Sequence, residues 1–597
     1  MSAARAEGVA LALYANRFEN VVRSMANTLF RSARSGVINT AHDFSCCVVS
    51  HDDEMIAAAN SLPIHVLSGP ELLSRSMKRL HPQLRRGDAF LHNSPYDGNS
   101  HAADHVLLVP VVDDDGAHRF TVLVKAHQAD CGNSTPTTYD PHARDVYSEG
   151  ALIFPCVRVQ HDHEDVDDIL RMCEARIRVP DQWRADYRAL VGAARTGERR
   201  LRELAAEAGW DELVGYGSAW RDYGERRAIA AIRAMPAGRG SAVTVHDPFP
   251  GIPDGLPITA HVAVDPEEAV IEVDLRENAD CLPSGLNLTE STARTAGLIG
   301  IFNSLPGDVP VNGGSMRRMR VHLRENCCVG IPVHPASCSL ATTNLATRTA
   351  NVVGRALAEV ADGLGMADAG LILPPSASVI SGRDPRHGGA PFINMLILAG
   401  SGGAGSPHAD GWLTMGDAGT AGMLRRDSVE VDELRFPICV EAQRLIPDSE
   451  GAGRRRGTPG TLVEFGPVGC DIDAQYASDG HHNEPLGVRG GLPGGRADQW
   501  LVEPGGERRR LPPSGTIPVR DGELIVSICT GGGGYGSPLE RETERVAEDV
   551  AEGWITRDRA CEVYGVVIDA AGSVDAAATA AARARPLSST SAPGRPR

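Results

Sequence analysis

The chain has 597 residues, 42% of them hydrophobic and 23% charged, with a formal net charge of −18. Its length exceeds what one hydrophobic core serves, so two to four packed units are expected. Acidity argues against a nucleic-acid partner, and the lack of any apolar run of about 18 residues argues against a membrane span. The 65 glycines, set against only 5% aromatics, predict many tight turns. The thirteen cysteines contain no Cys-x-x-Cys pair, and the N-terminal residues lack the apolar core of a signal peptide. Reduced thiols and a cytoplasmic location are the expectation.

Tyr14, Phe18, Val21, Met25 and Leu29 recur at helical steps and predict a helix over residues 10–35, closed by Gly36. Residues 44–49 and 55–59 flank the polar turn His51-Asp52-Asp53-Glu54 and read as a hairpin. Short strands follow at 88–93, 106–112 and 120–126, the last two joined by Asp113-Asp114-Asp115-Gly116. Residues 180–235 are helical in period, with Leu190, Leu201, Leu204 and Leu213 as core candidates. Strands are expected at 243–245, 261–264 and 269–275, and helices at 291–305 and 347–364. Residues 399–460 look loop-dominated, with short strands at 429–434 and 438–445, and a helix over 543–551 ends at Gly553.

Helices and strands intersperse without regular βαβ alternation, so the fold class is α+β, with mixed sheets and a Gly-rich C-terminal half. The expected regions are 1–180, a helical segment 181–240, an α+β core 241–400, a Gly-rich β-rich region 401–570 and a disordered tail 571–597.

The chemistry-bearing stretch runs from Asp43 to Asp130. Asp43 opens the first hairpin, His101 and Asp104 precede the 106–112 strand, and His127 closes the next strand. Adjacent strands lie about 4.8 Å apart, so such ends meet side by side. Imidazole and carboxylate together suit Zn, Mn or Fe(II), and a metal there would polarise a carbonyl and acidify water. Satisfied polar turn residues are the alternative, and His42, His92 and His105 compete as ligands. The four-glycine run 531–534 lacks the Lys-Ser/Thr of a phosphate loop, so a structural turn is expected there.

In order along the chain stand Asp43-Phe-Ser-Cys, Gly87-Asp, Asn93 with Pro95-Tyr96, His101-x-x-Asp104, His127-x-x-Asp130-x-Gly132 and Tyr147-x-Glu149-Gly150. Downstream come Asn312-Gly-Gly-Ser315, Pro447-Asp-Ser-Glu-Gly-Ala-Gly453, Gly531-Gly-Gly-Gly-Tyr-Gly-Ser-Pro538 and Val563-Tyr-Gly-Val566. This ordered set resembles the hydantoinase B/oxoprolinase family over nearly the whole chain. That family takes in N-methylhydantoinase B, caprolactamase-type amidase subunits and the metal subunits of acetone and acetophenone carboxylases.

The resemblance implies one divalent metal (Zn, Mn or Fe) on Asp43, His101, Asp104 and His127. Asp130 and Glu149 become acid/base or supporting candidates, with a turn residue before Gly132 as the other reading of Asp130. It further implies a hetero-oligomer in which a hydantoinase A-type partner uses ATP to phosphorylate a small-molecule substrate. The leading function is then hydrolysis of a cyclic amide of hydantoin, lactam or oxoproline type. A ketone carboxylase subunit and a non-catalytic scaffold are the alternatives. Two departures stand out. Ser94 fills a position where the family usually has Asp, implying a missing carboxylate near the site, and Asn99-Ser100 replaces Gly-Thr before His101.

Overall fold

In the computed structural model, which describes residues 3–59, 62–249 and 251–584, the hairpin near residue 50 joins strands β1 (Phe44–Ser50) and β2 (Met55–Ala58). Asp53 turns the chain there at φ 65°, a conformation Asp tolerates. Strands β3 (Ala89–His92), β4 (Asp104–Val112), β5 (His118–His127), β6 (Val157–His161) and β7 (Glu164–Asp165) complete a seven-stranded sheet. Its order is β2-β1-β5-β4-β3-β6-β7, and every pair is antiparallel.

Both faces of this sheet are covered, which is why its central strands read as near-continuous apolar runs. Helices Ala3–Ser32 and Pro180–Ala208 lie on one face, where Phe18, Met25, Leu29, Leu190 and Leu201 pack against Val48, Val109, Val122 and Val124. On the other face Leu73 and Met77, from helix Pro70–Leu80, pack against Cys47, Val49, Val106, Leu108 and Leu123. Side chains alternate along a strand, so each strand position is assigned to one face.

The helical stretch expected over 180–235 breaks at Gly209 into Pro180–Ala208 and Trp210–Arg233. Leu190, Leu201 and Leu213 are buried, and Leu204 is half-buried against the same core. A second sheet holds Gly238–His246, Leu256–Asp265, Val270–Asp274 and Met319–His322, packed with helices Glu290–Phe302 and Asn344–Val360. Its 270–274 and 319–322 strands pair in parallel, unlike the other named pairs of the four sheets. The remaining two sheets draw on strands between Val379 and Ile528. The architecture is α+β and multi-domain.

Two expectations are corrected. Residues Val429–Arg435 form a helix, not a strand, because the Ser428 side chain caps the Val431 amide and starts a turn that outcompetes the β-branched residues. The tail beginning at residue 571 contains helix Ala576–Arg583, capped by Asp575, with Arg583 donating to the carbonyls of Tyr564 (3.2 Å) and Arg541 (2.6 Å). Residues 585–597 lie outside the described residues. The 531–534 glycines are structural: a Cβ on Gly532 would meet the Gly403 carbonyl oxygen at 2.0 Å, so close backbone packing demands glycine. No helix among the described residues is long and apolar enough to cross a membrane.

Candidate metal centre

Strand register builds the site. Asp104 pairs with His127 across β4 and β5, and the His127 amide donates to the Asp43 carbonyl over 3.0 Å beside β1. Asp43, His127 and Asp104 therefore form one row across three neighbouring strands, on the face away from helix Ala3–Ser32. Ser45 and Lys125, paired one step further along, share that face. His101 enters from the loop before β4. Asn99 ties that loop down, its Nδ2 donating to the carbonyls of His101 (2.7 Å) and Asp104 (2.9 Å).

His101, Asp104 and His127 are buried and offer ligand atoms within 4.8 Å of one another. His101 Nε2 lies 3.0 Å and His127 Nδ1 3.1 Å from the same oxygen, Asp104 Oδ1. The other nitrogen of His101, Nδ1, lies 2.9 Å from the Ser339 carbonyl. A carbonyl only accepts, so Nδ1 carries the proton and the Nε2 lone pair faces a carboxylate oxygen. Two acceptors that close are held together by a cation between them, a proton or a metal ion. Metal bonds of about 2.0–2.1 Å place neighbouring tetrahedral ligand atoms about 3.3 Å apart, close to these separations. The donor set fits a divalent transition ion.

Asp104 is held well below the usual carboxylate range: burial opposes this, but the charges of His101 and His65 and its hydrogen bonds prevail. Asp104 in turn raises His101 against the effect of burial. Burial dominates at His127, lowering it to about 4, and also lowers His65. Neutral imidazole is the form that ligates metals, so burial suits His127 to that role. Tyr139 stacks on the rings of His101 and His127, with centroids 5.7 and 5.2 Å away, and His127 Nε2 meets Thr138 Oγ1 at 3.0 Å. Asp43 stands one step out in the row, its Oδ1 3.8 Å from His65 Nε2. Burial and then the charge of Asp104 push Asp43 well above the usual range.

The other expected residues divide. Glu149 ends the short helix Val146–Glu149, buried, and accepts a 2.6 Å hydrogen bond from Ser337 Oγ. Burial raises its pKa, while Ser337 and the charge of His101 oppose the rise. Asp130, an acid/base or supporting candidate, is held by its own turn and by Arg178. Its Oδ1 accepts from the Gly132 amide (3.1 Å) and Arg178 Nη1 (3.0 Å), and its Oδ2 accepts from the Arg178 amide (2.6 Å). The turn alternative matches that geometry. Ser94 Oγ donates to Asp97 Oδ2 at 2.9 Å inside its own turn.

The competing histidines are engaged with other partners. The nitrogens of His92 meet the carbonyls of Phe154 and Asp97, at 2.9 and 3.1 Å. His105 points to the opposite sheet face and accepts from Trp183 Nε1 (3.3 Å), and His42 lies between the rings of Phe30 and Phe44.

Sequence reasoning missed His65 and Ser45. His65, on the short helix Pro63–Val66, brings Nε2 within 3.2 Å of Asp104 Oδ2. Ser45 was within reach of period-two alternation from Asp43. No spacing rule points to His65.

Known proteins fit this picture. The hydantoinase B/oxoprolinase family profile matches residues 7–538. The beta subunit of the caprolactamase of Pseudomonas jessenii is 29% identical, covering 96% of this chain and 99% of that protein. A putative D-/L-hydantoinase subunit of Pseudomonas sp. (strain NS671) is 26% identical, with coverage of 93% and 94%. The crystal structure of ATP-dependent caprolactamase from Pseudomonas jessenii superimposes with a TM-score of 0.85 at 28% identity, over 97% of this chain and 99% of that one. With the profile spanning most of its length, the chain belongs to the hydantoinase B/oxoprolinase family.

Proposed function

We propose that the chain is the metal-bearing subunit of an ATP-dependent cyclic-amide hydrolase. In this reading it acts on a lactam or hydantoin ring that a hydantoinase A-type partner has phosphorylated with ATP. The observation that carries the reading is the convergence of His101 Nε2 and His127 Nδ1 on Asp104 Oδ1, with the His101 proton committed to the Ser339 carbonyl. Relatives named as subunits of a caprolactamase and a hydantoinase support the substrate class and the need for a partner, and the ATP-dependent caprolactamase structure supports the nucleotide.

Asp43, His101, Asp104 and His127 would hold one Zn, Mn or Fe ion. Such an ion supplies Lewis acidity to a carbonyl oxygen and to water. The chain's own residues do the rest. Tyr139 and Thr138 hold the imidazoles in plane and in register. Glu149, pushed toward its protonated form by burial, is the group suited to give a proton to the departing ring nitrogen. Asp130 anchors the turn that carries Gly132.

The test is ring opening by the purified chain with its partner and ATP, alongside metal analysis. Near-stoichiometric metal and ATP-dependent ring opening, both lost in Asp43→Ala, are expected. A wild-type rate in Asp43→Ala would remove that residue from the ligand set. Incorporation of labelled bicarbonate into product would replace hydrolysis with carboxylation.

A further inference from the structure

Asp104 is fully buried and takes two polar partners on each oxygen. Oδ1 faces the two imidazoles of the cluster. Oδ2 accepts from Ser100 Oγ and lies 3.2 Å from His65 Nε2. Each Oδ2 partner is itself held from behind. Lys125 Nζ donates to Ser100 Oγ over 3.1 Å, and Ser45 Oγ lies 3.2 Å from His65 Nδ1.

The proton directions follow from the chemistry. An ammonium has no lone pair, so Ser100 accepts from Lys125 and turns its own proton to the carboxylate. A carboxylate oxygen accepts, so His65 carries its proton on Nε2 and takes the Ser45 proton on Nδ1. Ser45, His65, Ser100 and Lys125 are at most 2% exposed. A lysine buried so completely is costly unless its charge is used, and Lys125 makes its hydrogen bond to Ser100 alone among the described side chains.

We propose that two arms, Ser45–His65 and Lys125–Ser100, turn Asp104 Oδ2 away and present Oδ1 alone to the cluster, so that a divalent ion meets Asp104 as a one-oxygen ligand. His65 and Ser100 are positioning residues in this arrangement, and Asp104 is the ligand. A carboxylate confined to one oxygen leaves a coordination position open, which a catalytic site requires and a closed structural site does not. The inference rests on the metal reading of the cluster.

The experiment measures affinity of the full-length chain for Zn2+ by competition with a chromophoric chelator, without substrate, and records the visible spectrum with Co2+ in its place. His65→Leu and Ser100→Ala should each weaken Zn2+ binding by about 10–100-fold, as loss of partners behind metal ligands does. His65→Gln and Ser100→Thr, which restore an N–H or O–H, should recover to within a few-fold of wild type. The Co2+ absorption should weaken in His65→Leu and Ser100→Ala as Asp104 gains a second bond and the coordination number rises.

Wild-type affinity and an unchanged Co2+ spectrum in both deletion variants overturn the proposal. So does a Gln or Thr variant as weak as its deletion partner at an unchanged melting temperature. Should His65→Leu not fold, the one-atom deletion in Ser100→Ala decides. Failure of the wild-type chain to take up metal rejects the metal reading itself. Wild-type uptake that Asp104→Asn abolishes and the arm variants leave intact rejects the arms alone.

Discussion

Asp104 and Asp479 are both fully buried carboxylates, and they differ in what neutralises them. Asp479 receives Arg348 side-on, Nε to Oδ2 at 2.7 Å and Nη2 to Oδ1 at 2.9 Å. That guanidinium holds Asp479 far below the usual carboxylate range in spite of burial. Beside it, Asp247 accepts from the amides of His481, His482 and Asn483. Each of these charges is answered by a fixed group of the chain, so the cluster joins the second sheet to the 479–483 loop and needs nothing further. Asp104 instead faces imidazoles, which are neutral or charged according to what lies between them, and reaches its lysine only through Ser100. A carboxylate with its own guanidinium is architecture. A carboxylate with two convergent imidazoles offers a set of donor atoms that could hold a cation.

The largest expected effect tests the architectural member. Arg348→Met should cost about 3–5 kcal/mol of stability by leaving Asp479 buried and unpaired, while Arg348→Met/Asp479→Leu should recover most of the loss. Denaturant titration checks both. A cost below about 1 kcal/mol would mean that Asp479 is not neutralised as described. Metal bound per folded molecule should not change in either variant.

Asp104→Asn should have the opposite signature. Zn2+ affinity falls by more than ~100-fold, beyond the loss expected from an outer partner, while the chain stays folded. Chelator competition and circular dichroism together read this out. Parallel loss of fold and metal would erase the contrast with Asp479.

Glu149→Gln should lower kcat of ring opening by about 100-fold with metal content unchanged, the usual contribution of a general acid. Equal loss of metal would make Glu149 a support of the ligands instead.

A third way of burying a carboxylate gives the smallest effect. Asp432, beside Asp427, is pushed up to about 8, first by burial and then by its neighbour's charge. The folded state keeps a proton that the unfolded chain releases near pH 4. This contribution is therefore full below pH 4 and is lost as pH rises towards 8. Asp432→Asn should raise stability at pH 8 by roughly 1 kcal/mol or more and leave it unchanged below pH 4. Unfolding free energies at the two pH values check the sign, and a gain confined to low pH would contradict it.

Much of the site was legible in the chain because its parts are local. The hairpin at His51–Glu54, the short turn at Asp113–Gly116 and the alternation of β1, β4 and β5 put Asp43, His127 and Asp104 in one row. His101 follows from its place three residues before Asp104. Where local rules competed, they misled. Residues 429–434 carry β-branched side chains, yet the Ser428 cap makes them helical. Asp130 sits three residues after His127, and Arg178 holds its carboxylate.

The sequence by itself determined the strand ends, the order of the motifs and the identity of the row, because period-two alternation and short turns are properties of neighbouring residues. Only the tertiary structure decided which groups close that row. Ser339, 238 residues beyond His101, fixes its tautomer. His65 arrives on a separate helix to grip Asp104. Such contacts join chain segments whose separation obeys no spacing rule, and they form only when the second sheet and its helices pack against the first.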